Sequence, residues 1–368
     1  MKKQVLTLLF TSFLLISCGG ESKKQIKNLT ATGYENHHTE IQQTYLDSEN
    51  YLDTTPYCGN LSKSAPNPVH LAWKSEDASK FTVHIYEGND TSKEVVSYQT
   101  TEKEFDFYNT KLNQEYTITI SDDDGKVDTS EQIHFTTEAE GPRNLFVDGV
   151  ENVRDIAGWG NMKQGMIYRS GRFNADKKDI EVTVTEQGIY ELNNHLKIKT
   201  EIDLRRTSNN EVGGLTDKSV LGEQVKYIQI PMAYGGNNIL TFKGKLSGDT
   251  YVYDNPTAIA QFFEVLADEN NYPIDFHCSI GKDRTGCLSY LIEGLMGNSE
   301  ELLIRDYMFS NFADAGYAKP DEVNNRYGKT LKQYETGDTL QEKIYNYLNA
   351  EVGIFTQTLD KVIEILKA

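Results

Sequence analysis

The stretch "FHCSIGKDRTG", residues 276 to 286, sets one cysteine between a histidine and a run of glycine, lysine and arginine. Ahead of it, "YPIDFH" has the apolar character of a buried strand. Behind it, "RTGCLSYLIEGLMG" places Leu288, Leu291, Ile292 and Leu295 on one stripe of a helix. The loop therefore runs from a strand end into a helix N-terminus. Such a loop turns backbone N–H groups inward and adds the positive end of the helix dipole, so Ser279, Ile280, Gly281, Lys282, Asp283 and Arg284 outline an anion site. Gly281 permits the tight path, and the Arg284 guanidinium can hold two phosphate oxygens at once. A thiol there is held as thiolate near neutral pH by the same groups. Cys278 then reads as a nucleophile aimed at phosphorus, with displacement through a cysteinyl-phosphate followed by attack of water. Thr285 is placed to hydrogen-bond the sulfur and ease its departure. His277 reads as a structural partner that sets the loop rather than as a base.

The elements that must position this loop alternate. From about residue 143, "GMIYRS", "KTEIDLRR", "VKYIQIPM" and "YPIDFH" read as strands. "VTEQGIYELNNHL", "TAIAQFFEVLADE" and "SEELLIRDYMFSNF" read as helices between and after them. That order implies a central, mostly parallel sheet flanked by helices. Residues 63–142 differ. "HLAWKS", "FTVHIYEG", "EVVSYQT", "KEFDFYN", "EYTITIS" and "QIHFTTE", separated by turn-forming clusters, predict an all-β sandwich. Residues 18–62 are polar with no sustained hydrophobic period and read as a tether. The glycine-rich stretch 233–255 reads equally as a lid over the pocket or as a surface loop.

A hydrophobic fraction of 38% with 25% charged residues marks a globular chain. The formal net charge of -18 excludes nucleic acid as a natural partner, and any anion must be held locally. The apolar run Val5 to Ile16 is too short to span a bilayer, which takes roughly 20 residues. It reads as a signal peptide, residues 1–17. Four cysteines, at 18, 58, 278 and 287, do not make a disulfide framework. A Cys58 to Cys287 bridge is open, and a buried inert Cys287 is the plainer reading. No cofactor and no metal set is read from the sequence.

"LLISCGG" resembles a bacterial lipoprotein signal, which implies Cys18 as the lipidated residue and a bacterial cell envelope location: outer membrane, periplasmic or surface face. Membrane contact would come through that lipid alone. The β segment resembles fibronectin type III-like or immunoglobulin-like modules. "HCSIGKDRTG" resembles the signature of cysteine-dependent protein tyrosine and dual-specificity phosphatases, in their bacterial branch with Lys-Asp inside the loop. "NVRDIAGW", "IYRSGRF", "EIDLRRTSNNE", "IPM" and "RDYMFSN" fall in that branch's order, so the resemblance spans about 145 to 368. Ala157 and Lys197 depart from it where glycines are usual.

The resemblance implies an α/β protein-tyrosine-phosphatase-like domain at 143–368, preceded by the all-β sandwich. Its roles carry over as Cys278 nucleophile, Arg284 clamp, and a loop of amides from Ser279 to Arg284. Asp283 is the first choice for the acid that protonates the leaving oxygen. Asp203 is the second, and stands equally as a structural ion pair with Arg205. Lys282 would pair with Asp203 or reach a second substrate phosphate. The expected substrates are phosphorylated proteins, on tyrosine with or without serine and threonine. Phosphoinositides or other small phosphorylated molecules are the alternative, and a non-catalytic surface-binding lipoprotein is the reading outside enzymology.

Overall fold

The computed structural model describes residues 24–76, 78–123, 127–128, 131–174, 184–206, 218–233, 238–245, 252–315 and 318–368. The leader, Cys18 and part of the 233–255 stretch lie outside the described residues. Among the described residues no helix is long and apolar enough to cross a membrane.

Strict two-residue alternation builds the N-terminal unit. Its strands are β1 (Lys27–Thr32), β2 (Val69–Lys74), β3 (Phe81–Glu87), β4 (Glu94–Thr100), β5 (Glu104–Phe107), β6 (Glu115–Asp122) and β7 (Gln132–Thr136). They pair antiparallel in two sheets, of order β1-β2-β5 and β4-β3-β6-β7. Every second side chain points into one shared core: Val69, Leu71 and Trp73 from β2, Phe81, Val83 and Ile85 from β3, Tyr116, Ile118 and Ile120 from β6.

Residues 24–62 are not a tether. Lys27–Thr32 is the edge strand of the first sheet, which moves the start of the all-β unit from residue 63 back to the twenties. The chain from 33 to 68 is an insertion that folds onto the C-terminal domain. Helix α1 (Glu40–Leu46) opens with a capping box between Thr39 and Gln42 and buries Tyr45 completely. Tyr45 and Tyr57 join Phe309 and Phe312 in one aromatic cluster, and the Arg305 guanidinium lies over the rings of Tyr45 and Tyr51. His37 and His38 hydrogen-bond the carbonyls of Asn144 and Pro142. Backbone hydrogen bonds and isolated aromatics hold this segment, so it shows no hydrophobic period.

The C-terminal domain holds a six-stranded sheet. Its strands are β8 (Arg143–Asn144), β9 (Arg154–Asp155), β10 (Ile167–Ser170), β11 (Thr200–Asp203), β12 (Lys226–Gln229) and β13 (Ile274–His277). The order is β8-β9-β10-β13-β11-β12. The four strands from β10 to β12 in that order run parallel, while β8 and β9 add an antiparallel edge, so the sheet is mixed. The longer helices of the domain are α2 (Asn255–Leu266), α3 (Asp283–Leu295), α4 (Glu300–Phe309), α5 (Leu340–Ala350) and α6 (Thr356–Leu366). Ser299 caps α4 through Leu302 N–H. Strand β13 lies at the centre, and the register sets Ser170, His277 and Asp203 level at the C-terminal ends of three neighbouring parallel strands. In an open α/β sheet this is where a ligand crevice forms.

Candidate active site

Three chain segments leave that level together: Gly171-Arg172 after β10, Leu204-Arg205 after β11, and the loop Cys278–Lys282 after β13. The loop enters α3, a helix buried on nearly every face. Gly281 lies at φ +68°, a conformation that favours glycine. A Cβ there would stand 2.5 Å from Ser170 O and 2.8 Å from Gly171 N. Gly281→Ala should therefore displace the loop and lower kcat/KM about 100-fold, as misplacement by an ångström does. A variant within about threefold of wild type would contradict this.

The loop's carbonyl oxygens are pinned on its outer side. Asn152 Nδ2 donates to Ile280 O and Gly281 O, at 3.1 Å each. Arg169 Nη2 donates to Gly281 O at 2.7 Å. Arg172 donates to Ser279 O through its backbone N–H at 3.2 Å and its Nη1 at 3.0 Å. A peptide whose carbonyl is held on one side presents its N–H on the other, and this is how the loop can cradle an anion.

A buried charge cluster holds these donors. Asp306 of α4 takes Arg154 Nε on one carboxylate oxygen at 2.9 Å and Arg169 Nη1 on the other. Arg154 also donates to Asn152 Oδ1, which fixes the asparagine that grips the loop. Burial pulls Arg154 down to about 10, which still leaves it charged at neutral pH. Burial, reinforced by Asp306, pushes the Glu293 carboxyl well above the carboxylate range. Two guanidinium groups against one carboxylate leave a surplus positive charge beneath the loop, suited to a bound anion. Sequence reasoning named none of Asn152, Arg154, Arg169, Arg172 or Asp306 as site residues, although all stand in or beside "NVRDIAGW", "IYRSGRF" and "RDYMFSN".

Cys278 lies at the floor, 2% exposed. Burial pushes its thiol up, but the Arg284 guanidinium first, and Thr285 beside it, outweigh that and bring it below the ordinary cysteine range. Arg284 is anchored by Nη1 to Leu204 O at 3.2 Å and Met232 O at 3.3 Å, the segments that follow β11 and β12. Cys287 is a different thiol: burial alone raises it, and Cys58, Cys278 and Cys287 are all free, so the Cys58 to Cys287 bridge is absent. Among the described residues no group of three or more His, Cys, Asp or Glu is placed to hold a metal ion.

His277 places Nε2 3.0 Å from Glu201 Oε1 and Nδ1 3.2 Å from Cys278 O. Burial works against its charge, yet Asp203 and Glu201 outweigh it and raise it to about 9. Folded above and unfolded near 6.5, this group adds stability that is complete below about pH 6.5 and is lost as pH climbs toward 9. Asp275, raised to about 7 by burial, adds no slope above that. In the Cys278→Ser background, where the thiol cannot titrate, unfolding free energy should fall by a few kcal/mol between pH 7 and 9. A flat profile would mean that His277 is neutral.

The two candidate acids stand in different settings. Asp203, fully buried, receives Arg205 Nε and Nη2 at 2.9 and 2.7 Å and the Tyr227 hydroxyl at 3.0 Å. Burial opposes its ionisation, but His277 and Arg205 hold its carboxyl below the carboxylate range. That fits the structural ion pair rather than a proton donor, and takes up the carboxylate that Lys282 was expected to meet. Asp283, at the first turn of α3, meets Arg326 and the Tyr307 hydroxyl through Oδ1, the latter at 3.3 Å. Lys282 is buried beside it.

Residues 145–367 match the model of a family described as the tyrosine phosphatase family. A Cupriavidus necator protein bearing the name of a tyrosine-protein phosphatase is 24% identical over 204 residues, 50% of this chain and 70% of its own. Among solved structures, the core catalytic domain of PP-IP phosphatase Siw14 from S. cerevisiae aligns with 18% identity and TM-score 0.30, covering 52% of this chain and 88% of that one. The fn3 domain of human contactin 1 aligns with 16% identity and TM-score 0.18, covering 21% of this chain and 71% of that one. Scores this low carry no argument about function. The family match takes in well over half of the chain and the whole of the Cys278 loop, and the chain belongs to the tyrosine phosphatase family.

Proposed function

We propose that the protein hydrolyses phosphate monoesters through a cysteinyl-phosphate, with phosphotyrosine in proteins as its main substrate and phosphoserine and phosphothreonine as secondary ones. The observation that carries this is the Cys278 thiol, lowered by Arg284 and Thr285 at the floor of a loop whose carbonyls are tied back. In the first step the sulfur attacks phosphorus, the S–P bond forms and the P–O bond to the leaving group breaks. The Asp283 carboxyl gives its proton to the departing oxygen. In the second step water attacks phosphorus and returns a proton to Asp283. The sulfur leaves as thiolate, eased by Thr285, and inorganic phosphate departs. Arg284 and the loop amides hold the equatorial oxygens throughout, where charge develops.

The leader supports a matching location: residues 1–17 are removed, Cys18 carries the lipid, and the enzyme works at the cell envelope. The N-terminal all-β unit has the strand pairing of a two-sheet sandwich, and its role is that of a packing partner that spaces the catalytic domain from the lipid.

The test is a rate comparison on a phosphotyrosine peptide, a phosphoserine peptide and a phosphoinositide panel. Fastest turnover of the phosphotyrosine peptide supports the reading. Fastest turnover of a polyphosphorylated lipid would shift it, and the buried Lys282 beside the clamp is the residue that would explain such an outcome.

A further inference from the structure

Asp283, Tyr307, Glu322 and Arg326 form one closed set beside the loop. Arg326 comes from the helical stretch 320–332 and reaches Asp283 Oδ1 with Nη1. Its Nη2 stands 3.4 Å from Glu322 Oε1. The Tyr307 hydroxyl, from α4, lies 2.9 Å from Glu322 Oε2 and 3.3 Å from the same Asp283 oxygen. The site is sheltered, with the Arg326 and Asp283 side chains 20% and 13% exposed. An ion pair there is screened less than one in open solvent. Burial lowers the Arg326 guanidinium, and Asp283, Tyr307 and Glu322 outweigh it and hold it above the ordinary range. Among the described residues both hydrogen-bond partners of the Asp283 carboxylate, Arg326 Nη1 and the Tyr307 hydroxyl, meet Oδ1.

We propose that Arg326 is a positioning residue of the reaction: with Tyr307 it fixes Asp283 by Oδ1 and leaves Oδ2 to serve the leaving oxygen. The inference rests on the phosphatase reading above, with Asp283 as its acid. The charged and titratable groups facing Asp283 are Arg326, Glu322 and Tyr327 from the 320–332 stretch, Tyr307 from α4, and Cys278 within the loop. The two charges from the 320–332 stretch act in opposite senses. The guanidinium favours the carboxylate, and the Glu322 carboxylate favours the carboxyl.

The experiment is kcat against pH for the full-length chain in detergent, on a phosphotyrosine peptide, for wild type, Arg326→Gln, Arg326→Lys, Glu322→Gln and Asp283→Asn. Expected is a basic limb that moves up by roughly one pH unit in Arg326→Gln, returns toward wild type in Arg326→Lys, and moves down in Glu322→Gln. Asp283→Asn should abolish the limb. A merely structural role would lower kcat at every pH and leave the limb in place, so an unmoved limb in both Arg326→Gln and Glu322→Gln overturns the proposal. A persistent limb in Asp283→Asn overturns it as well. If Arg326→Gln does not fold, Glu322→Gln alone decides, since its shift has the opposite sign. Wild-type turnover unaffected by Cys278→Ser would instead remove the phosphatase reading and this inference with it.

Discussion

Cys278→Ser should lose at least about 10⁴-fold in kcat, comparable with removal of other covalent nucleophiles, while folding and binding phosphate much as wild type does. The change swaps sulfur for oxygen in a side chain that is 2% exposed, so the surrounding packing is preserved. What disappears is the nucleophile. Arg284 and Thr285 outweigh the cost of burial and hold the Cys278 thiol below the ordinary cysteine range. A serine hydroxyl is a far weaker acid than a thiol, and the same groups cannot ionise it. Vanadate, which offers a five-coordinate centre to the sulfur, should inhibit wild type. Turnover in Cys278→Ser within about tenfold of wild type would end the mechanism. Steady-state rates beside thermal unfolding of both proteins separate a chemical loss from a folding one.

Asp306→Ala carries the largest expected cost in stability, about 3–5 kcal/mol, because it strands two buried guanidinium groups. Arg154 and Arg169 both depend on Asp306, and both are sealed from water. Burial, which first pushes the Glu293 carboxyl up, remains after the change, so Glu293 does not make good the lost charge. The consequence reaches the loop. Arg169 that loses Asp306 no longer holds Gly281 O in place, and Arg154 no longer fixes Asn152. Activity per folded molecule should fall along with stability. Urea unfolding at pH 7 reads the first effect and kcat at low denaturant the second. A loss below about 1 kcal/mol would mean that the cluster does not support the site.

The candidate loop was legible in the sequence because it is local. Cys278, Gly281, Arg284 and Thr285 lie within eight consecutive positions, and the strand and helix on either side are set by short apolar patterns that β13 and α3 reproduce. The six β segments between 63 and 142 were legible for the same reason, since two-residue alternation is a local signal. The supporting donors were not. Asn152 and Arg169 reach the loop across more than a hundred residues of chain, Asp306 acts on it only through Arg154 and Arg169, and a charged residue gives no sign from sequence of whether it is buried. The insertion 33–68 escaped for a related reason. Tyr45, His37 and Gln42 bury themselves at no regular spacing, through caps, carbonyl hydrogen bonds and aromatic contacts with the C-terminal domain, and a segment built so looks like a tether. Asp203 shows the limit of a type-based choice: its identity allowed an acid or an ion pair, and only its contacts with Arg205 and Tyr227 distinguish them.

The most direct test of the central claim is to trap the intermediate. The full-length chain in detergent is mixed with a ³²P-labelled phosphotyrosine peptide, quenched in alkaline denaturant within the first turnovers, digested and mapped at alkaline pH. Expected is label that survives alkali and is released by mild acid, on the one peptide that contains Cys278, absent from Cys278→Ser and increased when the second step is slowed by Thr285→Ala. Turnover with no labelled protein, or label on any other peptide, would contradict a cysteinyl-phosphate mechanism.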